Sequence, residues 1–301
     1  MNILVLCGGE SGEREVSLRS GARVCEALRE RGHVVELVDA RGEGPCEELL
    51  AKCRMADAVF LCFHGGDGED GHWQAALERG GVFHYTGSGP AASFLAMDKP
   101  RSKVCVREAD VPVADDVCWR AEKGLPPIEM PFVAKPARGG SSVGLCVIRK
   151  GEDWEEVAEG EEMLCEHYLS GREYSVGVLA GKALPPVEII PDGGIYDYAH
   201  KYMPNITKEL CPAPLPPTRL AHLQDLALIC FSALGLRDFA RVDFKEDAQG
   251  RVHFLEANTL PGMTKTSLLP LAASRAGLDF SSLCEQMAMP AAQRRVAGLD
   301  K

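Results

Sequence analysis

The residues best suited to chemistry stand near the C-terminal end, in Arg241-Val242-Asp243-Phe244 and Phe254-Leu255-Glu256-Ala257-Asn258. Both runs are β-formers, and Asp247-Ala248-Gln249-Gly250 between them supplies a turn, so together they predict a hairpin. If Asp247 and Gly250 close that turn, Arg241 lies opposite Glu256 and Asp243 sits diagonal to it. Asn258 then follows two residues along the same face. A slip of one residue would send half of the set to the other face. Two carboxylates and an amide this close form a hard-oxygen cluster, which suits Mg²⁺ bridging the phosphates of a ligand. The plainer reading is an Arg–carboxylate pair on a solvated sheet face.

At 301 residues the chain is long enough for two or three domains with buried cores. Its 46% hydrophobic and 26% charged residues are those of an ordinary soluble globular protein. A net charge of -11 argues against nucleic acid or an anionic membrane as partner, so an anionic ligand must be held by a few placed cations. The 12 cysteines are scattered, and the closest pair, Cys46 and Cys53, is too far apart for a CxxC site. Cys7, Cys62 and Cys230 sit in apolar runs as small core residues, a pattern that fits a reducing cytosol. No apolar run is long enough to cross a bilayer, and Asn2 to Cys7 is too short for a signal-peptide core.

The elements that must position the hairpin begin with Ile3 to Cys7, an apolar run expected of a strand buried on both faces. Gly8 to Gly12 breaks it, and Glu13 to Arg31 has helical spacing ending before Gly32. Strands at Val34 to Val38 and Asp57 to Phe63, with a helix between, imply a doubly wound α/β domain. Gly9, Gly12 and Asp39 hint at a dinucleotide loop. Cys7 stands where its first glycine belongs, however, and Glu10, Glu13 and Glu15 would repel a pyrophosphate. That glutamate cluster is better matched to an ammonium group. His64 to Gly71 is a second glycine-rich loop at a sheet edge, and a helical stretch runs from Ala91 into Lys99. Phe132 to Pro136 is a strand ending on Lys135, and the small-residue loop 137–144, bracketed by Lys135 and Arg138, can wrap a triphosphate. Strands follow at Leu145 to Ile148, Glu162 to Leu169, Arg172 to Val178 and Lys182 to Ile190. Pro191 to Pro217 has no clear periodicity but carries three tyrosines and Lys201, which suggests an active-site lid. Thr218 to Leu234 is an amphipathic helix leading into the hairpin.

Seven motifs occur in order: GGESGEREVSLRSG, HGGDGEDG, YTGSG with AMDK, AKPARGGSSVG, YDYAHKY, RVDF and LEANTLPGMT. Together they resemble the D-alanine–D-alanine ligase branch of the ATP-grasp family, from Asn2 to about Leu283. The resemblance implies an α/β protein of ATP-grasp fold. An N-terminal doubly wound domain (1–90) would be followed by two α+β domains clasping ATP (91–175 and 176–301). By the same resemblance Lys99, Lys135, Ser142, Glu166, Leu169, Glu173 and Lys201 bind ATP, with Glu166 and Glu173 at the adenine and ribose. Asp243, Glu256 and Asn258 match the ligands of two Mg²⁺ (or Mn²⁺) ions. Glu13, with His64 nearby, matches the site of the first D-alanine, and Ser267 with Leu268 that of the second carboxylate. Arg241 and the Gly262 amide match the oxyanion donors, while Ser141 and Tyr202 match partners of Glu13 that hold the lid. Gly140 stands where the family often has an acid, and Thr266 where it often has histidine.

What the resemblance implies is a cytoplasmic homodimeric enzyme of peptidoglycan precursor synthesis, with D-alanine and ATP as ligands, no nucleic acid and no membrane insertion. A ligase taking D-serine or D-lactate second is the near alternative, and Lys201-Tyr202 speaks against D-lactate. A non-catalytic nucleotide-binding homologue would lack a metal ligand, and a nicotinamide oxidoreductase would bind NADH.

Overall fold

The first strand, β1 (Asn2–Gly8), is buried at every residue but its first, as an apolar run flanked on both faces must be. Helix α1 (Arg14–Glu30), strand β2 (Val34–Ala40), helix α2 (Glu47–Met55) and strand β3 (Ala58–Leu61) complete a parallel sheet of order β2-β1-β3. This computed structural model describes residues 1–42, 44–140, 143–191 and 207–299. The glycine-rich loop after β3 leads into α3 (His72–Arg79), and α4 (Pro90–Met97) and α5 (Lys99–Glu108) follow end to end. Pro100 has no N–H to give the Ala96 carbonyl, so α4 does not run on through it, and Asp98 caps α5 by accepting from the Arg101 amide at 3.2 Å.

A small antiparallel sheet then forms from β4 (Asp116–Arg120), β5 (Phe132–Pro136), β6 (Cys146–Ile148) and β7 (Glu162–His167), in the order β4-β7-β5-β6. Phe132, Ile148, Trp154 and Met163 are its core. The large antiparallel sheet comprises β8 (Glu173–Leu179), β9 (Lys182–Ala183), β10 (Val187–Pro191), β11 (Thr207–Leu210), β12 (Phe239–Glu246) and β13 (Val252–Asn258). Its order is β11-β10-β8-β12-β13, with β9 on β8. Two expectations are corrected here. Lys182 to Ile190 is two strands, because Pro185 and Pro186 interrupt the ladder. Part of the aperiodic 191–217 stretch is the edge strand β11.

Helix α6 (Pro217–Ala233) and α5 pack Leu223, Leu226, Ala227 and Val106 on one face of the large sheet, against Tyr174, Val176, Val242 and Phe244. Its other face meets α7 (Leu268–Arg275), where Gly177 leaves room: a Cβ there would lie 2.6 Å from Leu269. Helix α8 (Phe280–Leu299) returns to the first domain, and Leu283, Cys284 and Met287 join the same core as Val24, Leu28 and Phe60. Helices α4 and α5, expected in a 91–175 unit, therefore pack on the large sheet. The last helix of the expected 176–301 unit packs on the N-terminal one.

Candidate active site

The hairpin of β12 and β13 holds the site together through a bulge. Arg241 faces Asn258, Asp243 faces Glu256 and Phe244 faces Phe254, so Leu255 is the extra residue. This corrects the expected register. The turn closes on Asp247 and Arg251 rather than Gly250, which shifts the pairing by one, and the bulge shifts it by one more. The two shifts cancel in parity, and Glu256 and Asn258 remain on the face of Arg241, Asp243 and Lys245. Phe254 and Ala257, on either side of the bulge, both enter the α6-facing core, which fixes the opposite face as the polar one.

On that polar face Asp243 is buried and well bound. Arg241 donates to it through Nε (3.0 Å) and Nη2 (2.8 Å), Ser175 Oγ donates at 2.6 Å, and Asn258 Nδ2 donates at 3.1 Å. A cavity opens beside it, between the large sheet and the small one. Lys99, Lys135, Glu166, Leu169, Glu173, Asp243 and Glu256 all line it, so one cavity gathers seven of the residues singled out in the sequence. Asn258 borders an adjoining hollow with Lys99, Glu256 and Glu69.

The walls are charge-paired. Lys135 Nζ lies 2.5 Å and Lys103 Nζ 2.6 Å from the two oxygens of Glu166. Burial works to raise the Glu166 carboxyl, but the two lysines outweigh it and hold it at about 2. Lys103 also meets Asp116 at 2.7 Å. No motif singles out Lys103, although it stands one helical turn after Lys99 on α5, the spacing that places both on one face. Lys245, 2.7 Å from Glu173, likewise lies outside the motifs, although it continues the alternation of Arg241 and Asp243. The carboxylates expected at the adenine and ribose thus each hold a lysine. Lys99 lies 3.8 Å from Glu256 and donates to the Gly139 carbonyl at 2.5 Å, which ties α5 to the loop after β5.

The N-terminal domain supplies the other end of the site. Glu13 stands at the N-cap position of α1 without capping it through its side chain, and its carboxylate sits against the loop after β3: a Cβ on Gly65, at φ +63, would lie 2.5 Å from it. A Cβ on Gly140 would lie 3.6 Å from the same oxygen, so Glu13 also reaches the small-sheet loop. His64 is buried between α1 and the segment after β13. Its Nδ1 is 3.1 Å from the Leu260 carbonyl, and its Nε2 is 3.0 Å from Ser20 Oγ. A carbonyl can only accept, so Nδ1 carries the proton and Nε2 accepts from Ser20. Burial lowers the imidazole pKa, in keeping with that neutral form. Glu69, within the HGGDGEDG motif, accepts from the Gly65 amide at 3.0 Å, and burial with Glu13 nearby pushes its carboxyl up to about 7. Gly262 precedes α7, and a Cβ on it would lie 2.7 Å from Ser267 Oγ, which also accepts from the Thr264 amide at 3.0 Å. Ser267 is the N-cap and Leu268 the first residue of α7. Ser141, Ser142, Lys201, Tyr202 and most of the expected lid lie outside the described residues.

A family model described as "D-ala D-ala ligase C-terminus" matches residues 105–289. A D-alanine–D-alanine ligase of Alkalilimnicola ehrlichii is 40% identical over 98% of this chain and 96% of its own length. One of Aquifex aeolicus is 41% identical over 94% and 98%. The chain belongs to the D-alanine–D-alanine ligase family. A solved ligase of that family from Bacillus anthracis, complexed with ATP, superposes with a TM-score of 0.82 at 31% identity, covering 99% of this chain and 98% of that one. The ATP-grasp fold read from the motifs is thereby established, and the chain is a ligase. No helix among the described residues is long and apolar enough to cross a membrane.

The donors fit a family metal only in part. Among the described residues no three of His, Cys, Asp and Glu are grouped so as to hold a metal ion. Two carboxylates and an amide are what Mg²⁺ takes from a protein when phosphate oxygens complete its shell.

Proposed function

We propose that this chain joins two D-alanines to D-alanyl-D-alanine through a D-alanyl phosphate, for peptidoglycan precursor synthesis. The observation that carries the reading is the convergence of Lys99, Lys135, Asp243, Glu256 and Asn258 on a cleft whose Gly140 wall is reached by the Glu13 carboxylate. Lys99 and Lys135 bind the triphosphate, the α5 lysine being set by its Gly139 tether. Glu166 keeps Lys135 oriented, while Leu169 packs against the base and Glu173 reaches the ribose. Asp243, Glu256 and Asn258 would hold Mg²⁺, which neutralises charge on the transferring phosphoryl when bound. Glu13 holds the ammonium of the first D-alanine, and the carboxylate of that D-alanine attacks the γ-phosphorus of ATP. ADP leaves, and the acyl phosphate carries the good leaving group that a carboxylate lacks.

The second D-alanine, its carboxylate at Ser267 and Leu268, then attacks. Arg241 and the Gly262 amide hold the tetrahedral oxygen, each such donor being worth about 3 kcal/mol. Ser142 and Lys201 are assigned to ATP, and Ser141 and Tyr202 to holding a lid through Glu13 against water, which would otherwise hydrolyse the intermediate. The working form is a cytoplasmic homodimer of three units near 1–90, 91–175 and 176–301.

The test is phosphate release from ATP with single D- and L-amino acids, pairs of them, and D-lactate. Release that needs D-alanine and ends in the dipeptide is expected. Release supported equally by L-alanine, or ATP bound and never cleaved, would remove the reading.

A further inference from the structure

The segment that carries Gly262 is gripped from α1. Ser20 and Arg23 lie one turn apart on that helix and hold the two polar atoms of Met263. The Met263 amide donates to Ser20 Oγ at 3.4 Å, and Arg23 Nη1 donates to the Met263 carbonyl at 2.8 Å. Upstream, His64 donates to the Leu260 carbonyl while accepting from the same Ser20 hydroxyl. Gly262 therefore sits between two anchored residues, with Ser267 Oγ filling the space over its Cα. Arg23 is braced in turn: its guanidinium carbon lies 3.8 Å from the Phe280 ring centroid at the start of α8. Burial lowers its pKa without threatening its charge near neutrality.

From this geometry we infer that Arg23 is a positioning residue for the Gly262 amide. It touches no reacting atom. It holds the Met263 carbonyl on the C-terminal side of Gly262 while His64 holds the Leu260 carbonyl on the other, and so limits how far the short segment carrying the Gly262 N–H can shift. Helix α1 also presents Glu13 at its N-terminus, so one rigid element spaces the ammonium anchor of the first D-alanine from the oxyanion donor. The inference rests on the ligase reading, and in particular on the Gly262 amide facing the oxyanion.

In the step concerned the amine nitrogen bonds to the acyl carbon and the acyl C–O bond breaks. Phosphate leaves with that electron pair and takes up the surplus amine proton. The preceding transfer from ATP does not involve the Gly262 amide. A loosened amide should therefore slow amine attack and leave acyl phosphate formation alone. Arg23→Met keeps an apolar contact with Phe280 but cannot donate; Arg23→Lys keeps the charge and a donor.

The full-length protein is given ATP labelled with ¹⁸O at the β–γ bridge, Mg²⁺ and D-alanine. Isotope scrambling within ATP, which reports reversible acyl phosphate formation, is compared with dipeptide released. Arg23→Met should raise scrambling per dipeptide about tenfold, and Arg23→Lys should bring it back to within about threefold of wild type. A merely structural role would lower both rates together and show in the melting temperature. An unchanged scrambling ratio in Arg23→Met, whatever its melting temperature, overturns the inference. Wild-type protein that makes no dipeptide removes the ligase reading instead.

Discussion

On the side of the cleft where α5, β5 and β7 face β8, β12 and β13, carboxylates are matched by lysines. Glu166 is shared by Lys103 and Lys135, Glu173 is held by Lys245, and Lys99 stands 3.8 Å from Glu256. On the side built by α1, the loop after β3 and β11, acids gather around Arg241. Burial pushes both Glu69 and Glu209 up to about 7, with Glu13 adding to the rise at Glu69 and Arg241 opposing it at both. The first side resolves its charge by pairing and the second by holding protons. A polyanion can enter the first by taking over cations already in place. An ammonium group entering the second meets carboxyl groups that can release a proton to receive it. The two substrates of the ligase differ in this same way.

Breaking the comparison where its halves meet should have the largest effect. Asp243→Asn and Glu256→Gln are each expected to lower turnover at least about 1,000-fold, because charge on the transferring phosphoryl is left uncompensated. Their stabilities should differ. Asp243 is buried and holds Arg241 and Ser175, so its neutral variant should lose about 3 kcal/mol. Glu256 is more open, its side chain 24% exposed, and its variant should melt near wild type. Near-normal Mg²⁺-dependent activity in Glu256→Gln would end the metal assignment.

A smaller effect is expected within the paired half. Lys103→Met removes a fully buried cation and leaves Glu166 with Lys135 alone, at a cost of about 3 kcal/mol measured by urea unfolding. The acid limb should change as well. Glu166 is held at about 2 in the folded chain against an ordinary 4.5, so its contribution is present above 4.5 and is lost as pH falls toward 2. With one lysine gone that contribution shrinks, and wild type and variant should converge in stability as the pH is lowered through this window. A stability gap independent of pH would mean that Lys103 acts by packing alone.

Much of this was legible in the residues. The strand pattern, the α1 helix ending before Gly32, and the lysine closing β5 follow from period and turn chemistry, which act locally. The hairpin register did not, since a bulge at Leu255 and a turn one residue longer leave no local mark; only the retained face was recoverable from alternation. Lys103 and Lys245 were visible as i, i+4 and i, i+2 partners of residues already chosen. Their importance comes from Glu166 and Glu173, more than sixty residues away in the chain, which spacing cannot reveal. The return of α8 to the N-terminal core and the grip of Arg23 on Met263 are long-range in the same sense.

The protonated half can be sharpened with Glu69→Gln, the mildest of these changes. Its folded pKa of about 7 lies above the ordinary 4.5, so the folded chain binds the extra proton between those values. The contribution of Glu69 is therefore fully present below 4.5 and is lost as pH rises through 7, the reverse of Glu166. Glutamine is neutral throughout and still offers a carbonyl to the Gly65 amide. It should leave the melting temperature nearly unchanged at pH 5 and raise it at pH 8, where wild type carries an ionised carboxyl beside Glu13 and Glu256. Thermal melts of both proteins without ligand at the two pH values decide the matter. A variant that gains equally at both would show that burial in this half is relieved without a held proton, and the contrast between the two sides of the cleft would reduce to the number of lysines.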